Sequence, residues 1–104
     1  MTQWLAEQSR PDRYKSDFQL RLFFANLLSH EQLLALLEDH HQWLTRSILI
    51  LEERQHDLQT RMQGPTPEQE LQFPLLVVEL NLATFRAELA WIDGVIEQFA
   101  HQIA

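Results

Sequence analysis

The longest apolar pattern in the chain runs from Leu71 to the C-terminal end. Apolar residues recur there at spacings that alternate between four and three residues, which is typical of one face of an α-helix. This seam consists of Leu71, Leu75, Val78, Leu82, Phe85, Leu89, Ile92, Ile96, Phe99 and Ile103. No polar residue interrupts it. We therefore predict a helix to about Gln102, with a kink near 69–73 because Pro74 lies inside it.

The opposite side of the same helix is also apolar, but its residues are mostly smaller. It carries Leu76, Leu80, Ala83, Ala87, Ala90 and Gly94, with Val77 and Trp91 beside them. A helix that is apolar on two faces must be covered on two faces. One partner can come from this chain, and the second is most simply another copy of the protein. The pattern does not assign either face to either partner.

Two capping-box patterns predict where the earlier helices begin. Ser16 with Gln19 indicates the start of a short first helix, and Ser29 with Gln32 indicates the start of a second. The first helix carries apolar residues nearly all round, so we expect it to be mostly buried. The second shows a leucine heptad and is predicted to run to about Met62. Its seam positions are Leu34, Leu37, His41, Leu44, Ile48, Leu51, Gln55, Leu58 and Met62.

A short turn separates the second helix from the last one. Gly64 suits a left-handed C-terminal cap, and Pro65 prevents the helix from continuing. Thr66 with Gln69 supplies a third capping-box pattern. A short connection makes the two long helices antiparallel neighbours. The predicted fold is all-α: a short buried helix followed by a long antiparallel helical hairpin, which forms a coiled-coil-like homodimer.

Charge and composition narrow the classes of function. The 104 residues suit one small domain, and 45% of them are apolar while only two are glycine. The net charge of −7 disfavours direct contact with nucleic acid, because phosphate binding needs a clustered positive face. The chain has no cysteine, no signal-peptide pattern and no apolar run of membrane-spanning length. We expect a cytoplasmic protein that contacts neither DNA nor a membrane.

The sequence offers little for catalysis or metal binding. Glu38 with His41 and Glu53 with His56 have a spacing used in carboxylate-bridged metal sites, but both pairs lie on one helix. No phosphate-binding loop or nucleophile motif is present. We predict no catalytic residues, no metal ligands and no cofactor, and the chain is not expected to be an enzyme.

The three tryptophans raise the possibility of a small-molecule pocket. Trp4, Trp43 and Trp91 are candidate pocket aromatics. Large aromatic residues at helical spacing more often belong to a core than to a cofactor site. A small-molecule effector is therefore an open alternative.

Two stretches resemble a known family. Residues 15–38, KSDFQLRLFFANLLSHEQLLALLE, resemble the start of the C-terminal domain of PadR-type transcriptional regulators, of the virulence-activator type. Residues 85–93, FRAELAWID, resemble the last helix of that domain. The resemblance implies that residues 1–15 are a linker from an absent winged-helix domain and that 16–104 form a helical dimerisation domain.

Periodicity and resemblance together predict homodimerisation, and DNA would be contacted only through the absent winged helix. The expected seam of the hairpin and dimer comprises Leu37, Leu44, Ile48, Leu51, Leu75, Val78, Leu82, Phe85, Leu89, Ile92, Ile96 and Phe99. One alternative is a stand-alone helical protein that forms mixed dimers with full-length regulators. A second alternative is a helical bundle that binds a small ligand or a metal.

Overall fold

Three α-helices and one short 3-10 helix account for the part of the chain that the structure describes. The structure is a computed structural model that describes residues 10–65 and 68–101, except for the side chains of residues 10–15 and 68. The elements are α1 (Arg10–Phe23), the 3-10 helix (Ala25–Leu27), α2 (His30–Met62) and α3 (Glu68–His101). No strand occurs in these residues, which confirms the all-α prediction. Contacts divide the described residues into two compact units, the first ending at residue 40 and the second beginning at residue 41.

In the first unit, α1 begins earlier than the sequence predicts. It starts at Arg10 and runs through Ser16, so the predicted start at Ser16 is wrong. Pro11 lies in the first turn, where its fixed φ fits a helix and its missing N–H breaks no helical hydrogen bond. Proline at position 11 is therefore compatible with this helix.

The capping box at the start of α2 is confirmed. The Ser29 N–H donates to Oε1 of Gln32 at 2.9 Å, and the Gln32 N–H donates to Oγ of Ser29 at 3.1 Å. These two hydrogen bonds satisfy backbone donors that no helical carbonyl can reach. They allow α2 to begin directly after the 3-10 helix, without a glycine or proline in the turn.

Replacing Ser29 with alanine should lower the free energy of unfolding by about 1 kcal/mol, because it removes the cap. The matched control is Ser16→Ala, since Ser16 is an exposed residue within α1. Alanine is the better helix former there, so this substitution should cause no loss. Denaturant unfolding of both variants gives the comparison. Equal losses would contradict the assignment of the cap to Ser29 alone.

Burial in the first unit is uneven. Phe18 is buried and its ring stacks on that of His40, with centroids 3.6 Å apart and planes 5° apart. Leu37 is also fully buried. The expectation that the first helix is mostly buried is nevertheless wrong for the single chain. Four large side chains at helical spacing stay exposed, namely Leu20, Phe23, Phe24 and Leu27.

The second unit is an antiparallel hairpin formed by residues 41–62 of α2 and by α3. The paired residues show that the helices are antiparallel. His41 contacts Asp93, whereas Glu52, which comes later in α2, contacts Arg86, which comes earlier in α3. The buried core contains apolar residues from both helices, namely Ile48, Leu58, Leu71, Val78 and Leu82. Leu51, Met62, Leu75, Phe85 and Leu89 are half-buried against it. The predicted helical hairpin is confirmed.

The turn after α2 differs from the prediction. Gly64 does not have a positive φ, so the predicted left-handed cap is wrong. Instead, the Gln63 N–H donates to the Thr60 carbonyl and the Gly64 N–H donates to the Arg61 carbonyl, at 3.2 and 3.0 Å. These bonds tighten the last turn and satisfy its carbonyls without left-handed backbone. Helix α3 is continuous through Pro74. Thr66, and with it the third capping box, lies outside the described residues.

Candidate functional site

The two apolar faces of α3 have opposite environments. The large-residue seam faces α2 within the hairpin. Leu82 is only 1% exposed, and Ile92 is fully buried. On α2, Leu44 is fully buried as well, and Ile48 belongs to the same core as Leu82. Towards the end of α3 the seam becomes half-buried at Ile96 and Phe99.

Polar contacts flank this buried seam. The Nε2 atom of His41 lies 2.8 Å from Oδ1 of Asp93, and Nη2 of Arg86 donates to Oε2 of Glu52 at 2.9 Å. The side chains of these contacts are at least one-third exposed, so each pair adds little to the free energy of folding. They indicate that polar partners as well as apolar residues are matched across the hairpin.

The other side of α3, called here the back face, is exposed along more than twenty residues. It consists of Phe73, Leu76, Val77, Leu80, Ala83, Thr84, Ala87, Ala90, Trp91 and Gly94. Phe73 is 67% exposed and Leu80 is 66% exposed. None of the ten residues is charged. A continuous exposed apolar surface of this kind marks a site of interaction.

The back face has the spacing of a coiled-coil seam. Positions 73, 77, 80, 84, 87, 91 and 94 alternate in steps of four and three. Eight of the ten residues of the back face were predicted from the sequence, whereas Phe73 and Thr84 were not. Continuing the steps of four and three residues back to position 73, and through position 84 despite its polar side chain, identifies both, because position on the helix determines which face a residue belongs to.

The tryptophans do not converge on a pocket in the described residues. The Trp43 ring packs edge-on against that of Phe85, with centroids 5.4 Å apart. Trp91 is exposed on the back face. Trp4 lies outside the described residues. These positions give Trp43 a packing role in the hairpin and leave Trp91 available for contact with another molecule.

Among the described residues, each unit has an open groove, and neither of these two grooves is lined by Trp43 or Trp91. The groove in the first unit has a volume of about 630 Å³ and is mostly apolar, with Leu20, Phe24 and Leu27 among its lining residues. The groove in the second unit has a volume of about 490 Å³ and lies beside Arg54, Arg61 and Val78.

Two further properties concern metals and membranes. Within residues 10–65 and 68–101, no three His, Asp or Glu side chains are grouped closely enough to hold a metal ion. None of the helices in this described part of the chain has a stretch both long and apolar enough to cross a membrane.

Comparison with known proteins gives one family. Residues 14–100 match the model of the virulence activator alpha C-terminal domain. No curated protein and no solved structure shows a significant match. The matched region covers α1 from residue 14 onward, all of α2 and nearly all of α3. The chain belongs to the virulence activator alpha C-terminal family.

Proposed function

We propose that this chain is the homodimerisation domain of a transcriptional regulator of the PadR type. The observation that carries the proposal is the back face of α3, which is apolar, uncharged and exposed while the opposite seam is buried in the hairpin. Burial of such a surface against another helix is favourable, since it removes several large side chains from water. The family, whose description names an activator, supports a regulatory role.

The family resemblance of residues 15–38 and 85–93 supports the PadR assignment. In regulators of that type, a helical domain holds two winged-helix domains together. A dimer of this domain would fix the distance between the two DNA-binding surfaces and hence the spacing of the half-sites that they recognise. The net charge of −7 is consistent with a domain that assembles the regulator while other parts contact DNA.

The mass of the purified chain in solution tests the proposal. Sedimentation equilibrium at micromolar concentration should give twice the chain mass of 12.4 kDa. The mass should fall towards that of one chain on dilution, because the association is reversible. A compact, helical monomer throughout the micromolar range would contradict the proposal. Circular dichroism on the same samples distinguishes this result from an unfolded chain.

A further inference from the structure

We infer that the groove beside Arg54 and Arg61 binds a small carboxylic acid with an aliphatic chain. This inference goes beyond the proposed homodimer and does not depend on it, because all the residues that line the groove belong to one chain. It is carried by the aliphatic lining of the groove, by the guanidinium group of Arg54 and by the ion pair that neutralises Arg61.

The groove lies between the two helices of the hairpin. Residues 51–61 of α2 and 74–81 of α3 line it, and its volume of about 490 Å³ is within the range of small-molecule sites. None of the described residues that line it is aromatic, so it offers no ring on which an aromatic ligand could stack. The apolar part of the lining is aliphatic, namely Leu51, Leu58, Pro74, Val77 and Val78. This lining matches an alkyl chain.

Arg54 provides a positive charge at the edge of this aliphatic surface. Its side chain lines the groove, and none of the ion pairs found among residues 10–65 and 68–101 includes it. A guanidinium group can donate two parallel hydrogen bonds to one carboxylate, because its planar fork matches the geometry of that group. The polar end of the ligand is therefore a carboxylate that contacts Arg54.

The second arginine of the groove is already neutralised within the chain. The Nε atom of Arg61 lies 3.2 Å from Oδ2 of Asp57, one turn earlier in α2. Two arginines and one aspartate line the groove, so the sum of their charges is +1. One carboxylate balances this charge. A phosphate group, which carries nearly two negative charges at neutral pH, would leave an excess.

The acidic character of the whole chain is compatible with this binding. The net charge of −7 repels anions, but at physiological ionic strength salt screens that repulsion over about 8 Å. The alkyl chain adds affinity that does not depend on charge, roughly fourfold for each fully buried methylene group. An open groove buries each methylene only in part, so the gain per methylene should be smaller.

Titration of the isotope-labelled chain with octanoate, followed by NMR, tests the inference. Octanoate is kept below the concentration at which it forms micelles. The amide signals of Leu58 and Val78 should shift and reach saturation, whereas those of Ala87 and Ala90 on the back face should not. From hexanoate to octanoate to decanoate, the dissociation constant should fall at least about threefold per step. Octylammonium, with the same chain length and the opposite charge, should bind at least about fivefold more weakly than octanoate.

Three variants separate the roles of the charged residues. Arg54→Gln should raise the dissociation constant of octanoate at least about fivefold, because it removes the carboxylate contact. The control is Arg46→Gln, which removes the same charge from an exposed position of α2 outside the groove and should change it less than about twofold. Asp57→Asn should lower it about threefold, since Arg61 is then released. A variant that merely damaged the fold would not bind more tightly, and circular dichroism verifies the helical content of all three.

The binding site is complete in one chain, although Val77, alone among its nine lining residues, also belongs to the back face. Leu80→Glu, which should be monomeric, is therefore expected to bind octanoate within about twofold of the wild type. Binding to the wild type alone would mean that two chains form the site, which overturns the inference while homodimerisation stands. A monomeric wild-type chain that binds octanoate in the groove would have the opposite meaning.

Three further results would overturn the inference. Equal binding of octanoate and octylammonium would show that the charge of Arg54 is not used. Shifts confined to the back face would show that the acid covers another apolar surface. A synthetic helical peptide of leucine and glutamate is the last probe. If it shifts the signals of the groove and octanoate does not, the groove binds an acidic protein segment instead.

Discussion

Replacing Leu82 with alanine should lower the free energy of unfolding by about 3 kcal/mol. Leu82 is 1% exposed and lies within the apolar core of the hairpin, so the substitution removes buried methyl groups and leaves a cavity. Large-to-small substitutions at such sites cost roughly 2–5 kcal/mol. Denaturant unfolding at one fixed protein concentration measures the loss, because association would make the apparent stability depend on concentration.

The matched control is Leu49→Ala on α2, where the same atoms are removed from a side chain that is 56% exposed. It should lower the free energy of unfolding by less than about 1 kcal/mol, since surface substitutions have small effects. Similar losses at Leu82 and Leu49 would mean that the seam between α2 and α3 is not the core of the folded chain.

Replacing Leu80 with glutamate should separate the dimer without unfolding the hairpin. Leu80 lies only two residues before Leu82 but points to the opposite side of α3, where it is 66% exposed. In the proposed dimer the new carboxylate would be buried without a partner. The dissociation constant should rise by about 100-fold or more, because a buried unpaired charge costs roughly 3 kcal/mol or more.

Sedimentation and circular dichroism together measure this result. The variant should sediment as one chain and keep the helical signal of the wild type. Gln59→Glu is the control, since it adds the same charge at an exposed position of α2 and should leave the dimer intact. An unchanged dissociation constant for Leu80→Glu would place the contact away from the back face.

The helices and the hairpin could be predicted from the sequence because their signals are periodic and repeated. The heptad of α2 and the seam of α3 each extend over many turns, so a single ambiguous residue such as His41 does not alter the assignment. The end of α2 near Met62 was located from the turn residues that follow it, and it is confirmed. Long patterns average over local exceptions.

Local rules were less dependable than long patterns. Ser16 with Gln19 and Ser29 with Gln32 have the same capping-box spacing, but only the second begins a helix. A capping box describes how a helix start can be satisfied, and it does not require the preceding residues to leave the helix. For a similar reason Gly64 allows a left-handed cap without adopting one, because hydrogen bonds to the carbonyls of the preceding turn are sufficient.

The assignment of the two faces of α3 could not be read from apolar periodicity. The hydrophobic effect depends on buried area and has no direction, so either face could have met α2. Polar pairing provides the missing information. Arg86 and Asp93 flank the large-residue seam, and their partners Glu52 and His41 lie across it on α2. Matching these polar residues between the two helices of the hairpin favours the observed face.

At Gly94, two requirements on the sequence of α3 conflict: the stability of the single chain and the association of two chains. Alanine at this position would stabilise the isolated helix by roughly 1 kcal/mol, and the described chain has space for its methyl group. In the proposed homodimer, the same methyl group would add bulk to the back face, where the two chains would meet. The residue that best stabilises one molecule alone is thus not the residue that best joins two. A search for stabilising substitutions that scores only the single chain would therefore select against assembly at this position.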